Sequence, residues 1–146
     1  MTENIELEKL KLLFDYTKFH IGVYITLGTA LAGLVGASTK IEALIVVNKS
    51  WLIAATALMA LAGFAGGVLV SSMCEASGLA AFWAMSLGPF SLELMPARYW
   101  TYLEHTAFWL SLACAFVALN VKAPRREGPL LQEAPAPERN RPGAAT

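Results

Sequence analysis

Two long apolar runs stand out along the chain. HIGVYITLGTALAGLVGA (20–37) carries no charge beyond any on His20, and WLIAATALMALAGFAGGVLVSSM (51–73) carries none. About 20 apolar residues rising 1.5 Å each cross a hydrocarbon layer of roughly 30 Å, so both runs predict membrane-spanning helices. A third run, from Tyr102 to Val121, qualifies if its first turn sits among the headgroups. Trp51 opens one span, and Trp100 and Tyr102 stand at the start of another, the positions of an aromatic belt.

Ahead of the first run the pattern turns amphipathic. Over residues 4–18, Leu7, Leu10, Leu13, Phe14 and Thr17 share one helical face, while Glu8, Lys11, Asp15 and Lys18 share another. Gly36-Ala-Ser-Thr is expected to end the first span, and Thr39-Lys-Ile-Glu42 has the form of a capping box that restarts a helix near Lys40. The stretch GLAAFWAMSLGPFSLELM (78–95) is apolar but is interrupted by Gly88-Pro89, and it predicts a short interfacial or re-entrant helix followed by a turn. A kinked fourth span is the alternative. Residues 122–146 hold five of the seven prolines with mixed charge and no period, the composition of a disordered tail.

Composition agrees with this reading. Hydrophobic residues make up 56% of the 146 and charged residues 15%, with a mean hydropathy of +0.52. No Lys or Arg occurs between Lys49 and Arg98, where Glu75 and Glu93 are the only charges. The fold class expected is therefore all-α: a small polytopic membrane protein with three transmembrane helices (four in the alternative) and an N-terminal amphipathic helix. The basic residues bear on that choice. Four spans put Lys9, Lys11, Lys18, Lys122, Arg125 and Arg126 on one side against Lys40, Lys49 and Arg98, whereas three give a near tie. The charged residues 3–18 do not read as a signal peptide. A formal net charge of zero gives no reason to expect nucleic acid as a partner.

Two sets of residues are candidates for a specific role. Small residues recur every four positions, at Gly28, Ala32 and Gly36 in the first span and at Gly63, Gly67 and Ser71 in the second; such seams let helices approach closely in lipid. In the third span Glu104, Phe108, Ser111, Ala115 and Ala118 form a mostly small stripe, expected to face the bundle, beside a bulky one of His105, Trp109, Leu112 and Phe116. With three spans, Lys18, His20, Cys74, Glu75, Glu104 and His105 should gather as a polar cluster at one membrane face, with Glu104 held by Lys18 or His20. Cys74 and Cys114 are expected at different depths, unpaired.

The stretches FDYTKFHIGVY and WTYLEHTAFW resemble motifs of small bacterial membrane proteins, and that resemblance carries no activity with it. No P-loop, dinucleotide fingerprint, nucleophile elbow or HExxH occurs, so catalysis has no positive signal, no cofactor is expected and no metal ligand is assigned. The function expected is that of a multi-pass cell-membrane protein acting as a non-catalytic scaffold, accessory subunit or effector. Its partners would be the lipid bilayer and either a homo-oligomer or another membrane protein. Two alternatives stand beside it: an oligomeric transporter or pore with the polar cluster at its mouth, and a metal- or haem-binding membrane enzyme that uses the two histidines.

Overall fold

The computed structural model describes residues 2–41 and 47–121. Three long helices dominate them: α1 (Thr2–Ile41), α2 (Lys49–Met73) and α4 (Ala97–Asn120). Between α2 and α4 lie a short helix α3 (Leu79–Ala84) and two short strands, β1 (Ser86–Leu87) and β2 (Met95–Pro96). The three long helices are each apolar and long enough to cross a membrane. Segment 78–95 does not add a fourth. It forms α3, whose six residues rise only about 9 Å, and then a turn.

α1 is one unbroken helix of 40 residues. At 1.5 Å per residue it extends about 60 Å, twice the hydrocarbon thickness, so the amphipathic segment and the first apolar run are one rod. The expected break at Gly36 does not occur, and Thr39 is helical rather than an extended cap. Glycine in a helix costs only about 1 kcal/mol relative to alanine. Without a proline to remove an N–H, that is too little to stop a helix. The expected restart therefore has no place at Lys40, and Glu42 lies outside the described residues, as does the tail 122–146. α2 begins at Lys49 because Asn48 is extended (φ −78°, ψ 97°). The Asn48 backbone N–H donates to the Ala118 carbonyl at 3.0 Å, fastening the start of α2 to the end of α4.

α2 is the central helix, packed against both α1 and α4. Of the most apolar window of each helix, 39% is buried in α2, 22% in α4 and 6% in α1. On α1 the buried face repeats every seven residues through Leu10, Thr17 and Tyr24, with Leu31 packed beside it. One buried cluster centres on Tyr24, Met59, Ala62 and Ala107. The other lies toward the α3 end, where Leu10, Leu69, Met73, Phe82, Leu87 and Trp100 meet.

The α3–strand segment closes this end of the bundle. β1 and β2 pair antiparallel, Ser86 with Pro96 and Leu87 with Met95. Trp100 is buried, and its Nε1–H donates to the Leu87 carbonyl at 2.9 Å. It is thus a core anchor rather than the belt residue expected of it, whereas Trp51 and Tyr102 are exposed. The Ala97 N–H donates to the Met85 carbonyl, and the Ala80 N–H donates to Glu6 Oε2 at 3.3 Å, tying α3 to the extension of α1. Gly88 is required by close approach, because an added Cβ would run into the Leu92 carbonyl. Phe90 takes a left-handed conformation (φ 56°, ψ 38°) with its ring almost wholly exposed.

Candidate functional site

The polar site inside the bundle is built by α1 and α4 across a gap left by α2. Glu104 is 3% exposed, in an otherwise small stripe that also buries Ala107, Ser111 and Ala118. Its carboxylate Oε1 accepts a hydrogen bond of 3.1 Å from the Tyr24 hydroxyl. Gly66 of α2 makes the space for this pair. A Cβ built there would stand 3.0 Å from Ile21 and 3.3 Å from Glu104 Oε1, tighter than ordinary contact. The Tyr24 ring also lies against Phe108, with centroids 5.2 Å apart.

Beside this pair, His20 of α1 and His105 of α4 face one another with ring centroids 6.4 Å apart. Each Nδ1 lies 2.9 Å from the backbone carbonyl four residues earlier, of Tyr16 and Thr101 respectively. A carbonyl only accepts, so each Nδ1 is the donor, and in the neutral ring Nε2 keeps a lone pair. Chemically the site offers one buried carboxylate, one phenol and two imidazoles whose Nε2 atoms can accept a proton or a ligand. Among the described residues, no three His, Cys, Asp or Glu side chains gather to hold a metal ion.

The expected six-residue cluster separates into parts. His20, Glu104 and His105 come together. Lys18 does not join them: it is exposed, on a groove with Asp15 and Phe19. Six residues of helix turn it about 120° away from Tyr24. The carboxylate partner is accordingly Tyr24 and not Lys18 or His20. Cys74 and Glu75 are exposed at the end of α2, where Cys74 borders a recess with Leu10, Lys11 and Phe14. Glu75 faces a separate notch with Ser71, Ser72 and Glu93. Because α1 is continuous with the charged segment ahead of its apolar run, the end of α2 meets Leu10, about 15 Å from His20 at the helical rise. Cys74 and Cys114 are both free thiols.

The small-residue seams are also only partly in contact. A Cβ on Gly28 would meet the Met59 side chain at 3.4 Å, and one on Gly63 would meet Tyr24 at 3.8 Å. Ala32, Gly36, Gly67 and Ser71 are exposed, and a Cβ on Gly67 would meet nothing within 4 Å. Steps of four residues overshoot a full turn by about 40°, so such a seam walks off the contact after one step. The close approach falls instead at Gly66, which the four-residue pattern passes over. Ser111 adds an inter-helix bond, its hydroxyl donating to the Ala55 carbonyl at 2.7 Å.

Tyr24 and Gly66 are the two site residues that spacing alone left unassigned. Tyr24 had a signal, since it continues the seven-residue series of Leu10 and Thr17. Gly66 had none, because glycines 63, 66 and 67 are indistinguishable until the rotation of α2 is fixed. No family model matches the chain, and neither a curated protein nor a solved structure matches it.

Proposed function

We propose that the chain is a multi-pass integral protein of the cell membrane that works without catalysis, as a scaffold or accessory subunit acting through helix association. The observation that carries this reading is the uneven burial of the three helices. α1 gives one narrow face to α2 and leaves only 6% of its most apolar window buried. The hydroxyls on its outer side are already satisfied, Thr26 donating to Gly22 and Thr29 to Ile25, each to a carbonyl four residues back. That side mixes the small Gly22, Thr26 and Thr29 with the exposed Phe19 and Ile25, a surface whose satisfied hydroxyls let another helix approach it in lipid. A photo-crosslinking residue at Thr29 in intact membranes tests this. Protein adducts at Thr29, with lipid adducts at the exposed Phe116 of α4, are expected; lipid adducts alone at both positions would refute it.

A second reading rests on Glu104. A buried carboxylate among membrane-crossing helices marks an ion or proton path more often than a lipid-facing residue does. Tyr24, His20 and His105 beside it supply exchangeable protons. Proton flux into liposomes, abolished by Glu104→Gln in protein that remains folded, would favour this reading; equal flux in liposomes with and without the protein would dismiss it.

A further inference from the structure

His20 and His105 stand on different long helices and are held in the same way. Each gives its Nδ1–H to the carbonyl four residues back on its own helix, Tyr16 for His20 and Thr101 for His105, both at 2.9 Å. That bond fixes the tautomer and the ring orientation, as the backbone partner of a metal-binding histidine does. Nε2 is the nitrogen left over. Neither Nε2 has a hydrogen-bond partner among the described residues, and no unpartnered side-chain nitrogen or oxygen among them is buried, so both lone pairs are open to the surface.

The spacing of the rings suits one shared ion. With a metal–nitrogen bond of about 2.0–2.1 Å, two imidazoles on opposite sides of an ion have centroids roughly 6 Å apart, and two at right angles roughly 4.5 Å. The observed separation is 6.4 Å, with the ring planes 34° apart, an angle that opposite ligands are free to take. Tyr16 and Phe19 pack on the His20 ring, with centroids 4.0 and 5.7 Å away. The buried Glu104 carboxyl group lies within electrostatic reach of both rings, and a cation beside it favours its charged form. His20 follows Lys18 by two residues, about 3 Å of rise, and no further charged residue occurs before Lys40. The pair therefore sits at the edge of the apolar run, where water can complete a coordination shell.

We propose that His20 and His105 bind a copper(II) ion between α1 and α4, one Nε2 from each side, with water in the remaining positions. The donor set chooses the metal. Among the described residues no third His, Cys, Asp or Glu joins the two histidines, whereas zinc sites draw three or four ligands from the protein. With two imidazoles the preference of the metal decides, and among divalent ions that order peaks at copper(II). Thiolates would select copper(I), but Cys74 caps the end of α2 and Cys114 lies nine residues beyond His105. An ion so held ties α1 to α4 and stabilises the folded chain, because it binds the folded state in preference to the unfolded one. The site does not depend on the association reading above.

The test uses the full chain without an affinity tag, stripped of metal in detergent, with Cys74→Ala and Cys114→Ala to remove the thiols. Copper(II) sulfate is the probe, with zinc(II) sulfate alongside. One copper(II) per chain, held more tightly than zinc, is expected, with nitrogen hyperfine structure from two imidazoles in its electron paramagnetic resonance spectrum and a raised melting temperature. His20→Ala and His105→Ala should each weaken binding by at least the roughly 10–100-fold that losing a partner behind a ligand costs, and should remove the rise in melting temperature. His20→Phe keeps a ring against Tyr16 and Phe19 and should lose copper like His20→Ala, which separates a lost ligand from a lost fold. Copper bound as well after either substitution marks an adventitious ion only. That result, a one-nitrogen spectrum, or zinc held more tightly than copper overturns the site.

Discussion

Glu104 is a carboxylate placed where a side chain of its kind is costly, and a single residue opposite makes the position tenable. The Tyr24 hydroxyl donates to it at 3.1 Å. A hydrogen bond of this kind contributes about 0.5–1.5 kcal/mol net. A double-mutant cycle of Tyr24→Phe and Glu104→Gln in detergent should therefore give a coupling of about 1 kcal/mol. The same cycle between Lys18 and Glu104 should fall below about 0.5 kcal/mol, the range in which independent sites add, because Lys18 points away from the bundle. Equal coupling in the two cycles would mean that the α1 rotation is wrong. Gly66 supplies a second test at this scale. Gly66→Ala puts a methyl group 3.0 Å from Ile21 and 3.3 Å from Glu104 and should cost about 1–3 kcal/mol. Gly67→Ala, one residue on, has open space and should gain up to about 1 kcal/mol from helix propensity. Thermal unfolding of the two variants in the same detergent compares them directly; a Gly67→Ala loss as large as that of Gly66→Ala would contradict the packing described.

Among the elements, the segment between α2 and α4 carries the sharpest expectations. Trp100 links α4 to β1 through the Leu87 carbonyl. Trp100→Phe keeps much of the apolar ring but removes one of the two donors to that carbonyl, the Leu94 N–H remaining at 3.2 Å, and should cost about 0.5–1.5 kcal/mol. Phe90 works the other way. Its ring is 96% exposed and its backbone sits at φ 56°, where a non-glycine residue is uncommon. Phe90→Gly loses no buried contact and relieves the left-handed conformation, so the melting temperature should hold or rise. A marked fall would show that the ring is held by something other than this fold. The Gly88-Pro89 interruption was legible as a turn because glycine and proline act locally. That Trp100 would turn inward was not legible, since its partner carbonyl is 13 residues away and is positioned only once β1 and β2 pair. The Thr39–Glu42 pattern misled for a related reason: a cap sequence caps only where the helix has another cause to stop.

For the whole molecule, the three long helices and the inward stripe of α4 could be read from apolar length and side-chain size. These are properties of single segments. The four-residue glycine seams and the six-residue cluster could not be read correctly, because each depends on the rotation of one helix against another and on how far α1 extends beyond the apolar run. Lys18, Cys74 and Glu75 parted from His20 and Glu104 for that reason alone. The three crossings proposed have one consequence independent of all these side chains: an odd number places the two ends of the chain on opposite sides of the membrane. In a variant lacking Cys74 and Cys114, Asn4→Cys and Gly143→Cys can each be reacted with an impermeant thiol reagent in sealed vesicles of known orientation. Three spans predict that the reagent reaches one position from outside and the other only after the vesicles are opened; labelling of both from the same side would contradict the three-span membrane protein proposed.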